Sequence, residues 1–299
     1  MKKLFFTIYA LAVVFAVGCS KEVETSREEY KLVVNVDKAS FSDDTRAPRN
    51  SWLKGDEVML FFGSDYSQWI TIKYQNGVWS IKDIEDFDEN KYIAELAQRD
   101  DKSFTAIYCL HNEGNLLTIV NDGAVFFANT FGQTVSGTLF MTCEDGTYSV
   151  EDNLLTINAT LSLPDTGYGQ YAQFTIRNLS QDVNWFLVED GNVAFQPCAG
   201  VAISCGSDNK LSIEYYFPGI GEGSIQGYNT EDGVTFYGIL YPKAIGKSTN
   251  YNFCLMNSSG EVFTKTFENK TLNAGDAVIF NGPQECEVDE KSNGWTRTR

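Results

Sequence analysis

Few residues in this chain have the spacing that catalysis needs. His111 is the single histidine among 299 residues. A Ser-His-Asp triad therefore has one candidate base, and a site built from several histidines is excluded. No Cys-x-x-Cys occurs, which removes a zinc ribbon and a thioredoxin-type redox site. Carboxylates are plentiful, and Asp83, Glu85, Asp86, Asp88 and Glu89 fall in one short run. Paired acids hydrolyse glycosides and clustered acids hold calcium, but this run lacks the EF-hand spacing and its sixth-position glycine. It reads as a solvated acidic loop. Gly219-Ile220-Gly221-Glu222-Gly223 has no P-loop lysine after it and reads as a loop. Trp52, Trp69, Trp79 and Trp185 are candidates for a sugar platform, because aromatic faces stack on pyranose rings. Residues of that size more often fill sandwich cores. The expectation is a chain with no catalytic residue, no metal and no cofactor, and not an enzyme.

One thiol does have a chemical context. Lys2 and Lys3 precede an apolar run from Leu4 to Val17, which ends Ala16-Val17-Gly18-Cys19. The run is short for a spanning helix and suits a signal peptide. Small residues before a cysteine resemble a bacterial lipobox, which implies cleavage that removes residues 1–18 and lipid on Cys19. Several acyl chains on one residue give stable anchoring where one would not. Ser20-Lys21-Glu22 opens a polar tether over residues 19–29, and Lys21, Glu22 and Glu24 are similar to a lipoprotein surface-export signal. Six cysteines remain: Cys109, Cys143, Cys198, Cys205, Cys254 and Cys286. Export permits disulfides, the spacing does not choose a pairing, and buried free thiols on strands are an equal alternative. Cys109 and Cys254 lie in apolar runs, which favours burial for those two.

The elements that position these residues are strands. Hydrophobic residues make up 43 % of the chain, enough for a large core. The 23 Lys and Arg against 40 Asp and Glu give a net charge of −17. That excess argues against nucleic acid, which needs clustered cations, and against adsorption of the folded part to anionic lipid. Tyr30, Leu32, Val34 and Val36 alternate with Lys31, Val33, Asn35 and Asp37, the period of a half-buried strand. Asn76-Gly77 between Trp69–Tyr74 and Val78–Ile81 predicts a hairpin, with Trp69 and Trp79 as candidates for a cross-strand pair. Ile84 to Ala97 is the main helical candidate. The polar stretch from Asp145-Gly146 to Asn153 predicts a domain boundary, dividing residues 30–150 from 151–283. Many short strands at this spacing indicate an all-β protein of sandwiches. Residues 284–299 read as a loose polar tail, with Trp295 isolated in it.

Several of these segments fit one family. Thr45-Arg46-Ala47 and then Trp52-Leu53-Lys54-Gly55-Asp56-Glu57-Val58 resemble the opening of the FimA/Mfa-like fimbrillins, the subunits of type V pili. Gln173 to Ser180 is similar to a family strand, and Lys270-Thr271-Leu272-Asn273-Ala274-Gly275-Asp276 resembles the approach to the last strand. Ile107-Tyr108-Cys109-Leu110 departs from the family's usual segment at that place. The resemblance implies two transthyretin-like β-sandwich domains in tandem. It also implies export as a lipoprotein and proteolysis after an arginine. Here that bond is Arg46–Ala47, in a polar segment that a protease can reach, with Arg27 and Arg49 as other candidates. The resemblance implies that cutting frees the first strand and opens a groove for a strand from the next subunit.

The expected role is thus a lipid-anchored, structural or adhesive fimbrial subunit at the outer-membrane surface. Its expected partners are other subunits, the membrane through Cys19, and ligands on host or bacterial surfaces. Cys286 to Lys291 is too polar for a good donor strand, which suits an accessory or terminal position. The alternative from another class is a carbohydrate-binding surface lipoprotein.

Overall fold

A computed structural model describes residues 31–41, 52–62, 69–82, 88–110, 116–120, 123–127, 139–164, 166–167, 169–188, 195–196, 200–205, 211–216, 224–283 and 293–298. In chain order these hold β1 (Lys31–Lys38), β2 (Glu57–Phe62), β3 (Trp69–Gln75), β4 (Val78–Ile81), α1 (Glu89–Gln98), β5 (Ser103–Cys109), β6 (Leu116–Val120), β7 (Gly123–Phe127), β8 (Phe140–Glu151) and β9 (Leu154–Leu161). There follow β10 (Gln170–Arg177), β11 (Phe186–Val188), β12 (Phe195–Gln196), β13 (Gly200–Cys205), β14 (Leu211–Tyr216), β15 (Ser224–Gln226), β16 (Tyr228–Thr230) and β17 (Gly233–Leu240). The last four are β18 (Ser248–Met256), β19 (Val262–Thr271), β20 (Ala277–Asn281) and β21 (Thr296–Arg297). The fold is all-β, and among the described residues no helix is long and apolar enough to cross a membrane.

Seven strands form the first sheet in the order β1-β9-β8-β5-β2-β3-β4. Its two end strands, β1 and β4, approach each other within 8 Å between Cα atoms, so the sheet folds over its own core. That core holds Leu60, Phe61, Phe62, Ile70, Ile72, Phe104, Phe140, Leu155 and Ile157. The β3–β4 hairpin turns where expected. Asn76 and Gly77 take φ of 53° and 86°, the left-handed pair that a two-residue turn requires. Its cross-strand pair differs from expectation: Trp79 lies opposite Tyr74, and Trp69 lies opposite Phe61. Two-residue turns place Gln75 against Val78 and count outward from there, which sets Trp69 too far along to meet Trp79.

The helix begins at Glu89, later than Ile84. Asp88 caps it, accepting a hydrogen bond from the Lys91 amide at 3.1 Å. Ile93 and Leu96, three apart, are its buried face. The Lys102 ammonium donates to the carbonyls of Leu96 and Ala97, which satisfies the open C-terminal end.

The expected boundary after residue 150 falls inside a hairpin. Strands β8 and β9 pair from Thr147–Asn158 to Glu151–Leu154, turning on Asp152 and Asn153 at φ of 48° and 60°. The polar cluster is therefore a tight turn, and β9 belongs to the first sheet. Asp145 and Gly146 lie within β8 at a bulge, where Phe104 pairs with Gly146 and Ala106 already pairs with Cys143. A Cβ on Gly146 would come within 2.5 Å of the Phe104 ring, so the glycine makes room for the aromatic.

The second half packs two further sheets face to face. One runs β12-β17-β10-β20, with β16 on β17; the other runs β15-β11-β18-β19-β21. Phe174 meets Phe253 across them at 5.2 Å, and Phe253 meets Phe280 at 5.1 Å. A fourth sheet, β14-β13-β7-β6, joins strands from both halves of the chain. Tyr171, Tyr237, Ile239 and Ala277 also belong to the first core, although they lie on strands of the second half.

The chain's last described segment is docked, where a loose tail was expected. Trp295 is 1 % exposed, stacks near Phe280 at 6.1 Å, and donates its indole N–H to the Asn281 carbonyl at 2.9 Å. Thr296 and Arg297 then pair with Thr264 and Phe263 at the edge of the sheet. A buried indole removes enough apolar surface from water to hold a polar segment in place. Trp295→Ala is expected to cost about 3–5 kcal/mol in urea unfolding. A loss below about 1 kcal/mol would show that the docking contributes nothing to the fold.

Candidate functional site

β1 is the element on which the strand-exchange expectation depends. Among the described residues it lies at the end of the seven-stranded sheet and pairs in parallel with β9 alone, in unbroken register from Lys31–Leu154 to Lys38–Leu161. Leu32 and Val34 are half-buried against the first core, and Val36 is buried in it. Lys31, Val33, Asn35 and Asp37 face out, with Val33 40 % exposed. On that outer face the Asn35 amide donates to the Asn158 side-chain oxygen at 2.9 Å. The strand thus has one row of aliphatic side chains in the core and one polar row in solvent. Phe41, three residues beyond the strand, is buried with its ring 5.7 Å from that of Tyr237.

The inward row does not end in an apolar residue. It runs Leu32, Val34, Val36 and then Lys38, whose side chain is only 3 % exposed. The Lys38 ammonium sits 3.2 Å from the Asp56 carboxylate, itself 5 % exposed. The same ammonium lies 4.0 Å from the Trp52 ring centroid and 4.7 Å from that of Tyr108. Asp56 also accepts from the Tyr108 hydroxyl at 3.1 Å and from the Leu53 amide at 2.9 Å. The Trp52 indole N–H donates to the Val36 carbonyl at 2.9 Å, gripping the β1 backbone directly. These contacts give Trp52-Leu53-Lys54-Gly55-Asp56 a physical content. The segment turns tightly, with the Asp56 amide donating to the Leu53 carbonyl and Gly55 at φ 96°. That turn brings the indole and the carboxylate to one lysine.

Sequence reasoning missed this cluster. The signal was a charge continuing the apolar period of a strand, since a lysine on the inward row needs a buried partner. The residues it did single out are distributed otherwise. Cys19, Arg46, Ala47, Arg27, Arg49, His111, Cys198, Cys286 and the glycine-rich loop at 219–223 lie outside the described residues, as do Asp83, Glu85 and Asp86. Asp88 serves as the helix cap. Cys143 is a free thiol, and of the two cysteines expected to be buried Cys254 is buried and Cys109 half-buried. Burial pushes the Cys143 thiol up, and its hydrogen bond to the Asp145 carboxylate adds to that, so it stays a protonated thiol rather than a nucleophilic thiolate. The tryptophans do not form one plane. Trp52 and Trp79 meet edge to face at 78°, and Trp185 is 7 % exposed within the second core. Among the described residues no three His, Cys, Asp or Glu side chains converge as a metal site would require.

A buried pair fails asymmetrically: removing one partner costs much more than removing both. Lys38→Met is expected to destabilise the protein by about 3–5 kcal/mol, because the Asp56 charge stays buried without a cation. Adding Asp56→Asn should recover most of that loss. Urea unfolding of the two single variants and the double variant measures the coupling, and additive losses would show there is none.

No family model matches the chain, and no curated protein matches it. Solved structures do. A fimbrial protein from Bacteroides ovatus aligns over 85 % of this chain with 14 % identity and a TM-score of 0.36. The chain spans about half of that protein, 48 % of its length. A candidate cell adhesion protein from Bacteroides uniformis aligns over 77 % of this chain and 86 % of its own, with 12 % identity and a TM-score of 0.34.

Proposed function

We propose that this chain is a fimbrillin-like subunit of a surface fimbria, structural or adhesive in role, held at the outer membrane by lipid on Cys19. In this reading it has two transthyretin-like sandwich domains, and it assembles by strand exchange after cleavage between Arg46 and Ala47. The observation that supports this most is the placement of β1. It is an edge strand that pairs with one neighbour, fills the first core with one alternating row, and lies wholly N-terminal to Arg46. An extended segment so placed is the arrangement that β-strand addition uses. Backbone bonds supply affinity, and alternate side chains supply specificity. Leaving β1 out would expose an unpaired β9 edge over an apolar groove, which a partner strand can fill. The carbohydrate-binding alternative gains no support from the aromatic geometry, since Trp52 and Trp79 are edge to face and Trp185 is buried.

Two outcomes are expected. Cutting after Arg46 and separating the strand should lower the melting temperature of the first core, and a peptide spanning Tyr30 to Phe41 should restore it. Unchanged melting would show that the strand contributes nothing, and a loss that no peptide restores would reject exchange. Separately, mass spectrometry of the mature surface protein should find Cys19 as a lipidated first residue. A fully membrane-anchored Cys19→Ser protein would refute the lipid assignment.

A further inference from the structure

We infer that the place occupied by Lys38 is a cation-selective pocket, and that a partner strand replacing β1 must present a lysine or arginine there. The inference rests on the strand-exchange reading and adds the chemistry of the partner.

The pocket is built by residues outside β1. Asp56 supplies a nearly inaccessible carboxylate, and the Trp52 and Tyr108 rings flank the ammonium at 4.0 and 4.7 Å. A carboxylate and two aromatic rings that converge on one point form a receptor for a positive charge, because ring quadrupoles and the anion attract it together. With β1 gone, the contacts that Asp56 keeps among the described residues are the Tyr108 hydroxyl and the Leu53 amide, both neutral. An incoming apolar side chain would seal that anion from water without a counter-charge, and an acidic one would add repulsion. A cationic side chain restores the pair.

The rest of the groove discriminates less. Aliphatic side chains at the positions of Leu32, Val34 and Val36 differ by methylene groups, which separate ligands weakly. The Trp52 indole binds the backbone carbonyl of Val36, which any strand can offer. Because Lys38 continues the inward row, the required pattern is apolar-x-apolar-x-apolar-x-Lys/Arg, running parallel to β9. The charge also sets register, since a slip by one residue points the cation outward.

The test uses the full chain cut after Arg46, with labelled Tyr30–Phe41 peptide as the probe. Competing peptides carry the natural sequence, Lys38→Met or Lys38→Glu, so the protein itself is unaltered. The Met peptide is expected to bind at least about tenfold more weakly than the natural one, and the Glu peptide more weakly still. Against an Asp56→Asn chain, the gap between natural and Met peptides should fall below about threefold. Equal binding of all three peptides to the unaltered chain overturns the cation requirement and leaves strand exchange standing. Binding by none of them overturns strand exchange, and the cation requirement with it.

Discussion

Two charges, Lys38 and Asp56, are buried where neither is tolerable alone, and that constraint organises the first half of the molecule. A desolvated carboxylate without a cation costs several kcal/mol, and so does a desolvated ammonium. The pair therefore exists only when three separate segments are in place together. These are the end of β1, the turn at residues 52–56, and β5 with its Tyr108 hydroxyl. An edge strand bonded to a single neighbour is ordinarily the first part of a sheet to fray. Here its far end is locked to strands on the other side of the folded sheet, through contacts that β9 does not make.

The same segment reaches the second half of the chain. Phe41 packs on Tyr237 of β17, and Tyr171 of β10 accepts a hydrogen bond from the Phe140 amide of β8. The first core thus draws on strands that belong to the second pair of sheets, while Phe174, Phe236 and Phe253 form a separate cluster beyond them. Alternation along β10 and β17 explains the split. Tyr171 and Tyr237 point towards the first core, and their neighbours Ala172 and Phe236 point into the second. Both strands are buried on both faces, so the cores share a wall, and the wall includes β17 against which the β1 extension rests.

Much of this was legible in local patterns. Strand period, the Asn76-Gly77 turn and the aliphatic row of β1 are all encoded within a few residues, and each formed where expected. What escaped was non-local or chemically ambiguous. Asp145-Gly146 has the composition of a turn, yet its glycine makes room for a ring that comes from β5. Trp295 has no periodic neighbours, so nothing near it in sequence reports the Phe280 and Asn281 contacts that hold it. Lys38 continues the inward row of β1, but the partner that allows its burial lies 18 residues away. The resemblance did mark Trp52 and Asp56 but gave no reason for them; the structure supplies one, since together they enclose a cation.

In the strand-exchange reading, β1 is held firmly in the intact chain and yields to another strand after cleavage, which are opposing demands. Covalent attachment meets the first: a short tether gives its strand an effective concentration on the order of millimolar, which no free competitor readily matches. In that reading, cutting after Arg46 converts an intramolecular strand into a bimolecular ligand. From that moment the strand competes on affinity alone. Aliphatic burial favours nearly any alternating segment, so it provides attraction without choice. A buried carboxylate reverses that balance, because it penalises every segment without a cation at one position. A buried ion pair commonly adds little net stability over an apolar replacement of both residues. In the strand-exchange reading the value of the Lys38–Asp56 pair lies in what it rejects, because it adds a charge requirement to an otherwise aliphatic row.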